Sequence, residues 1–160
     1  MGVTSFSFEL VCSVTPARMF KASVLDLHNL APKIMPQVVS GAGLIEGDGG
    51  VGSVKQFKFT DAVPFSHVNE RIDALDKEKL EYKYTVTEGG DVGTKLISAV
   101  YHVKFVPAGN GECLIKATAE FTPVSGVQYT DEEANIQKEG VMGMFQAVEA
   151  HLLENPDAYA

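Results

Sequence analysis

The chain has 160 residues, 45% of them hydrophobic and 21% charged, which suits one globular domain, 1–160, with room for a real core. Its formal net charge is −8 and no Lys/Arg cluster interrupts the acidity, which speaks against nucleic acid as the primary partner. No stretch approaches the ~20 apolar residues a membrane helix needs, so no membrane role is expected.

The N-terminus, MGVTSFSFEL, lacks a basic segment followed by an apolar run, and Phe6 stands where a myristoylation signal needs Ser or Thr. The expected location is therefore the cytosol. From Phe6 to Val14 the apolar residues fall on even positions, the mark of a half-buried strand. Thr15-Pro16 reads as an N-cap and first helical residue, opening a short helix through about Leu25. A second short helical piece is expected over Leu27–Met35, broken at Pro32 and stopped by Pro36. Strands are then expected over Val38–Glu46 and Val54–Thr60, and Phe65–Leu75 reads as extended. Further strands follow over Leu80–Val86, Ile97–Phe105, with Ile97, Ala99, Tyr101, Val103 and Phe105 in one phase, and Cys113–Phe121, separated by polar or glycine-rich turns. Thr130-Asp131-Glu132-Glu133 is a capping box, opening a long helix that ends near Asn155-Pro156. The order implies an α+β fold, an antiparallel sheet with the long helix against one face. Cys12 and Cys113 have neither metal-ligand spacing nor a C-x-x-C pattern and read as buried, reduced thiols.

Gly47–Gly52, GDGGVG, has the spacing of a dinucleotide fingerprint. A strand pattern follows it, however, where the fingerprint requires a helix, and Ser53-Val54 stands where a Walker loop requires Lys then Ser or Thr. The segment reads as a hairpin loop, with a small anion-binding nest as the alternative, and no cofactor is assigned.

In the long helix Ile136, Gly140, Gly143, Met144, Ala147, Val148 and His151 share the apolar arc, centred on Gly140 and Ala147. A glycine inside a helix costs ~1 kcal/mol relative to alanine, so two of them call for a reason. Close helix–sheet packing is one; unfilled space beneath the helix is the other. The facing strand positions supply Phe57, Phe59, Tyr82, Tyr84, Tyr101, Val103 and Phe121. Inward tyrosines need partners for their hydroxyls, which a cavity with a polar ligand could supply. Periodicity alone leaves packed core and cavity both open.

Several stretches carry a family resemblance: LDLHNLAPKI (Leu25–Ile34), IEGDGGVGSVK (Ile45–Lys55), Val63-Pro64-Phe65, KYTVTEGG (Lys83–Gly90) and AVEAHLLENPDAY (Ala147–Tyr159). The chain resembles, over essentially its whole length, the pathogenesis-related class 10 proteins of plants, the Bet v 1-like family of the major birch pollen allergen. That resemblance implies a seven-stranded antiparallel curved sheet gripping the long helix, two short helices in a V, and a hydrophobic cavity. It implies a plant defence-related protein binding small amphipathic metabolites such as cytokinins, flavonoids, sterols or alkaloid-like compounds. The family's cavity positions fall here on Phe59, Phe65, Tyr82, Tyr84, Tyr101, Ile136, Gly140, Met144 and Val148; Val103 joins them from periodicity.

Ribonuclease activity is often attributed to this family. Of the residues proposed for it, Lys55 and Glu149 match, the strand acid expected at or beside Ile97 is missing, and His151 replaces a tyrosine. Lys55, Glu149 and His151 are thus weak catalytic candidates, with a surface lysine, a solvated glutamate and a hydrogen-bonded structural histidine as the plainer readings. His67 and His102 lie on strands with no second ligand at metal spacing, so no metal is proposed. Relatives that condense or isomerise alkaloid precursors use inward lysines and acids. Lys83, Lys104 and Lys116 sit on the polar phase of their strands, and no inward lysine is expected. The gate and latch sequences of the abscisic-acid receptors, SGLPA and HRL, do not occur. The leading expectation is a monomeric, non-enzymatic binding protein. A weak ribonuclease or metabolite-converting enzyme is the alternative, and an abundant defence or storage protein a third.

Overall fold

The computed structural model describes residues 3–160, so the part of the N-terminal reading that rests on Met1 and Gly2 lies outside it. Seven strands form one antiparallel sheet: β1 (Thr4–Cys12), β2 (Val39–Glu46), β3 (Val54–Phe59), β4 (His67–Asp76), β5 (Glu81–Gly89), β6 (Leu96–Gly109) and β7 (Glu112–Pro123). The spatial order is β1-β7-β6-β5-β4-β3-β2. Every neighbouring pair except β1/β7 is consecutive in the chain, as short turns require. The helical segment after β1 carries the chain from one edge of the sheet to the other. It comprises α1 (Pro16–Phe20), a π-turn over Lys21–Leu25, and α2 (Leu27–Ile34). The long helix α3 (Asp131–Glu154) follows β7.

The capping box is formed. Thr130 Oγ1 accepts from the Glu133 amide at 3.1 Å and Glu133 Oε1 from the Thr130 amide at 3.1 Å. Two further contacts tie this end of α3 to the β5–β6 turn: the Tyr129 hydroxyl donates to Asp91 at 2.6 Å, and Lys95 pairs with Glu133 at 2.7 Å. At the other end, the Arg18 guanidinium donates to the carbonyls of Leu152, Asn155 and Ala158 at 2.9–3.2 Å, and the Tyr159 hydroxyl donates to Asp26. The helix is thus fastened at both ends.

Three local expectations are corrected. Pro32 does not break α2, which runs through it and ends at Ile34; so near the C-terminus, the proline forfeits one backbone bond without ending the helix. On β6 a register shift between Leu96 and Ser98 turns Leu96 inward at 2% exposure and Ile97 outward at 63%. On α3 the buried residues are Ala134, Phe145, Val148 and Leu152. At 100° per residue that stripe lies about a third of a turn from the arc centred on Gly140 and Ala147.

The core is strongly aromatic. Phe145 of α3 meets Phe8 and Phe105 edge-on at 6.4 and 5.9 Å between centroids, and Phe20 meets Phe105 at 5.6 Å. Cys12 and Cys113, directly opposite in the β1–β7 ladder, are free thiols without solvent exposure.

Candidate functional site: a cavity between sheet and helix

The C-terminal half of α3 fills the space against the sheet; the N-terminal half does not. Under Ile136–Met144 lies a cavity of about 490 Å³, closed by α2 and by the inner faces of β3 to β7. A Cβ built on Gly140, which lines this space, would meet no atom within 4 Å. Gly140 is itself exposed, so it stands at the rim of the cavity.

Of the strand residues read as cavity positions, Phe59, Tyr82, Tyr84, Tyr101 and Val103 line the cavity, and Phe65 lines it from the β3–β4 loop. Ile136, Gly140 and Met144 line it from α3, with Ile136 at the rim, 65% exposed. Val148 does not; it is fully buried in the core beside Phe145. Three tyrosines form a row, with Tyr82 and Tyr84 centroids 5.2 Å apart, and Tyr84 and Tyr101 stacked at 4.9 Å. The Tyr82 hydroxyl is buried without a hydrogen-bond partner. Burial raises the pKa of all three phenols, so they stay protonated donors.

Lys55 overturns the surface reading and the expectation of no inward lysine. It is 3% exposed and lines the cavity. In β3 it lies in phase with Phe57 and Phe59, so the alternation that buries those rings buries the lysine too. Its Nζ donates to the Val24 carbonyl at 2.5 Å, at the end of the π-turn where helical carbonyls lack partners, and lies 5.0 Å from the centroid of the Tyr82 ring. Desolvation lowers its pKa, opposed by the charges of Glu70 and Asp26.

Glu70 is the residue missed entirely by the sequence reading. It pairs with Lys55 across the β3–β4 ladder and lines the same cavity. Val68, Glu70 and Ile72 alternate, so an acid occupies an apolar phase; that was the available signal. Glu70 is half-buried and borders the cavity. Desolvation pushes its pKa up to about 7 despite the opposing charge of Lys55.

The other catalytic candidates lie elsewhere. Glu149 accepts a 2.6 Å hydrogen bond from the Ser13 amide, where it anchors the end of β1. His151 contacts Asn155 at 3.4 Å, and neither residue lines the cavity. His67 and His102 pair with Glu88 and Glu81 at 2.6 and 2.7 Å. Among the described residues no cluster of three or more His, Cys, Asp or Glu side chains could hold a metal.

The glycine loop is a hairpin between β2 and β3. The amides of Gly49, Gly50, Gly52 and Ser53 donate to Ser53 Oγ, Asp48 Oδ1, the Ile72 carbonyl and the Gly50 carbonyl. These four donors are committed internally and are not free to hold an anion. At Gly47, with φ +80°, a Cβ would lie 2.3 Å from Ser53 Oγ, so close approach as well as conformation requires glycine there.

The curved antiparallel sheet, the helix held at both ends and the void between them define an α+β protein built around an internal compartment. The chain belongs to the pathogenesis-related protein Bet v 1 family, whose model matches residues 1–155. It is 45% identical over 160 residues to Pathogenesis-related protein 1 of Asparagus officinalis, covering 99% of both chains. It is 37% identical over 159 residues to the major allergen Pru ar 1 of Prunus armeniaca, again covering 99% of both. Among solved structures, Ara h 8.0201 superposes with a TM-score of 0.86 at 32% identity, over 96% of this chain and all of that one. Norcoclaurine synthase from Thalictrum flavum shares the fold at 21% identity, with a TM-score of 0.76 over 96% of this chain and 88% of that one. Among the described residues no helix is long and apolar enough to cross a membrane.

Proposed function

We propose that the protein holds a small amphipathic plant metabolite, of the cytokinin, flavonoid, sterol or alkaloid-like class, inside the cavity. It does so as a monomeric, cytosolic, defence-related binding protein. The observation that carries this reading is a compartment of about 490 Å³ walled by aromatic faces, with few polar groups at fixed places. That combination is the usual make-up of a small-molecule site: apolar contact supplies affinity, and Tyr82, Lys55 and Glu70 orient the ligand's polar end. Titrating the protein with a hydrophobic fluorescent dye and then displacing the dye with a panel of these metabolites tests it. Saturable, displaceable 1:1 binding is expected; absence of any saturable binding would overturn the reading.

The metabolite-converting alternative draws support from one observation, the inward Lys55 and Glu70 on facing strand positions. The ribonuclease alternative loses support, because Lys55 lies buried in the cavity while Glu149 anchors β1.

A further inference from the structure

Among the described residues Lys55 is the one buried lysine, and its environment is unlike that of a structural ion pair. Glu70 stands opposite it in the ladder, yet no ion pair within 4.0 Å joins them. Among the described residues no group donates a hydrogen bond to the Glu70 carboxyl. Both side chains occupy phases that strand alternation gives to apolar residues, and both border a space large enough for a ligand. Holding a buried amine opposite a half-buried carboxyl without joining them forgoes the pairing that ordinarily compensates their desolvation. Such an arrangement is characteristic of sites where the groups react, because a desolvated lysine is a ready nucleophile toward carbonyl carbon.

We propose that Lys55 is a covalent anchor for an apolar ligand bearing an aldehyde group, with Glu70 handling the protons of the condensation. The proposal rests on the cavity-binding reading and deepens it. The neutral Nζ attacks the aldehyde carbon; a C–N bond forms as the C=O π bond breaks, and a proton moves from nitrogen to oxygen to give a carbinolamine. The Glu70 carboxylic acid protonates the hydroxyl, which leaves as water. The product is an iminium facing the Glu70 carboxylate. Loss of its N–H proton to that carboxylate gives the neutral imine and regenerates the acid. One water is released per ligand, and no oxidant or reductant takes part. The surroundings suit the cation. The iminium keeps one N–H for the Val24 carbonyl, which Lys55 already holds at 2.5 Å. The Tyr82 ring, 5.0 Å from Nζ, offers its face to the positive charge. The unpartnered Tyr82 hydroxyl is a further donor in the compartment.

The test uses the full chain at pH 7 with 2-naphthaldehyde as the probe and cyanoborohydride to trap the imine as a stable amine. Intact mass and peptide mapping read the adduct, and dye binding is measured separately on the same preparation. One adduct per chain at Lys55 is expected, suppressed by saturating dye. Lys116→Arg, on the outer face of the sheet, leaves the labelling unchanged. Glu70→Gln slows it by roughly a hundredfold, the scale of general acid catalysis. Label spread over surface lysines with Lys55 spared overturns the proposal, as does Lys55 labelling that dye cannot suppress. An unchanged rate in a folded Glu70→Gln protein overturns the role of Glu70. The wild-type map with dye competition needs no variant, so a misfolded mutant does not shelter the idea. Dye binding without label at Lys55 sinks this inference and leaves the binding reading standing; no dye binding sinks the binding reading itself.

Discussion

Gly140 and Gly143 lie in the same helix, and a Cβ at either would meet no atom within 4 Å, yet only Gly140 lines the cavity. Replacing each by leucine therefore separates a helix effect from a cavity effect. Both changes remove a glycine from a helix interior, so each is expected to raise stability by about 0.8 kcal/mol, or roughly 2–4 °C in Tm. Position 140 alone lines the space of about 490 Å³, at its rim, and the leucine is expected to reach into it. Every ligand carbon it displaces forfeits about 0.8 kcal/mol of burial, so displacing three or four costs about 3 kcal/mol, roughly a hundredfold in Kd. The assay is dye and ligand titration of wild type, Gly140→Leu and Gly143→Leu, with thermal unfolding in parallel. Gly140→Leu should be folded, slightly more stable and nearly unable to bind; Gly143→Leu should be equally stable and bind normally. Equal binding by the two variants, whether retained or lost, would refute the placement of the ligand beneath Gly140.

Glu70 should make stability depend on pH. Its pKa rises from 4.5 in a free side chain to about 7 in the fold, so the folded state holds the proton more tightly. The benefit is complete below pH 4.5 and is lost as pH rises through 7; Glu70→Gln should abolish that component, worth about 3 kcal/mol, leaving a flatter Tm profile between pH 5 and 8. A wild-type profile no steeper than that of the glutamine variant would show that the carboxyl is not desolvated. Arg18→Ala should free the C-terminal tail, since the guanidinium donates to three carbonyls there. A loss of about 2 kcal/mol and rapid proteolytic clipping after Glu154 are expected, with dye affinity unchanged because Arg18 does not line the cavity.

The fold was legible because its signals are local and repeated. Alternation marked β1, β3, β5, β6 and β7, while β2 and β4 were read only as extended segments between turns; Thr15-Pro16 and the Thr130–Glu133 box marked helix starts, and the glycine loop betrayed itself by the strand that follows. The errors lie where one residue slips the phase. Ile97 alternates with Ala99 and Tyr101 on paper, but the register shift beside it puts Leu96 inside instead. No pattern in the residues announces that bulge, because it is set by pairing with β7. The helix arc failed for a related reason. Ile136, Gly140 and Met144 line the cavity, Val148 and Leu152 are packed in the core and Phe145 borders both, and a single wheel averages two neighbourhoods into one centre. The polar part of the site was legible and overlooked. Lys55 precedes Phe57 and Phe59 at strand spacing, and Glu70 sits between Val68 and Ile72; a charge in an apolar phase should have been read as facing the same way as its neighbours.

Those two charges also bear on how the fold tolerates its own interior. A dry void of about 490 Å³, at about 24 cal/mol per Å³, would cost on the order of 12 kcal/mol, comparable to the entire stability of a typical domain. A purely apolar compartment of this size would favour collapse of α3 onto the sheet. Collapse is resisted at both ends of the helix, by Tyr129–Asp91 and Lys95–Glu133 at one and by Arg18 under the tail at the other. It is also resisted from within, because closing the space would desolvate Glu70 and Lys55 still further and bury the phenol row against apolar atoms. A compartment with hydrogen-bonding groups at one wall can be hydrated when no ligand is bound, and a ligand that replaces that water must satisfy the same groups. Lys55, Glu70 and Tyr82 therefore do two things at once: they make the open fold tenable and set the chemistry of what may occupy it.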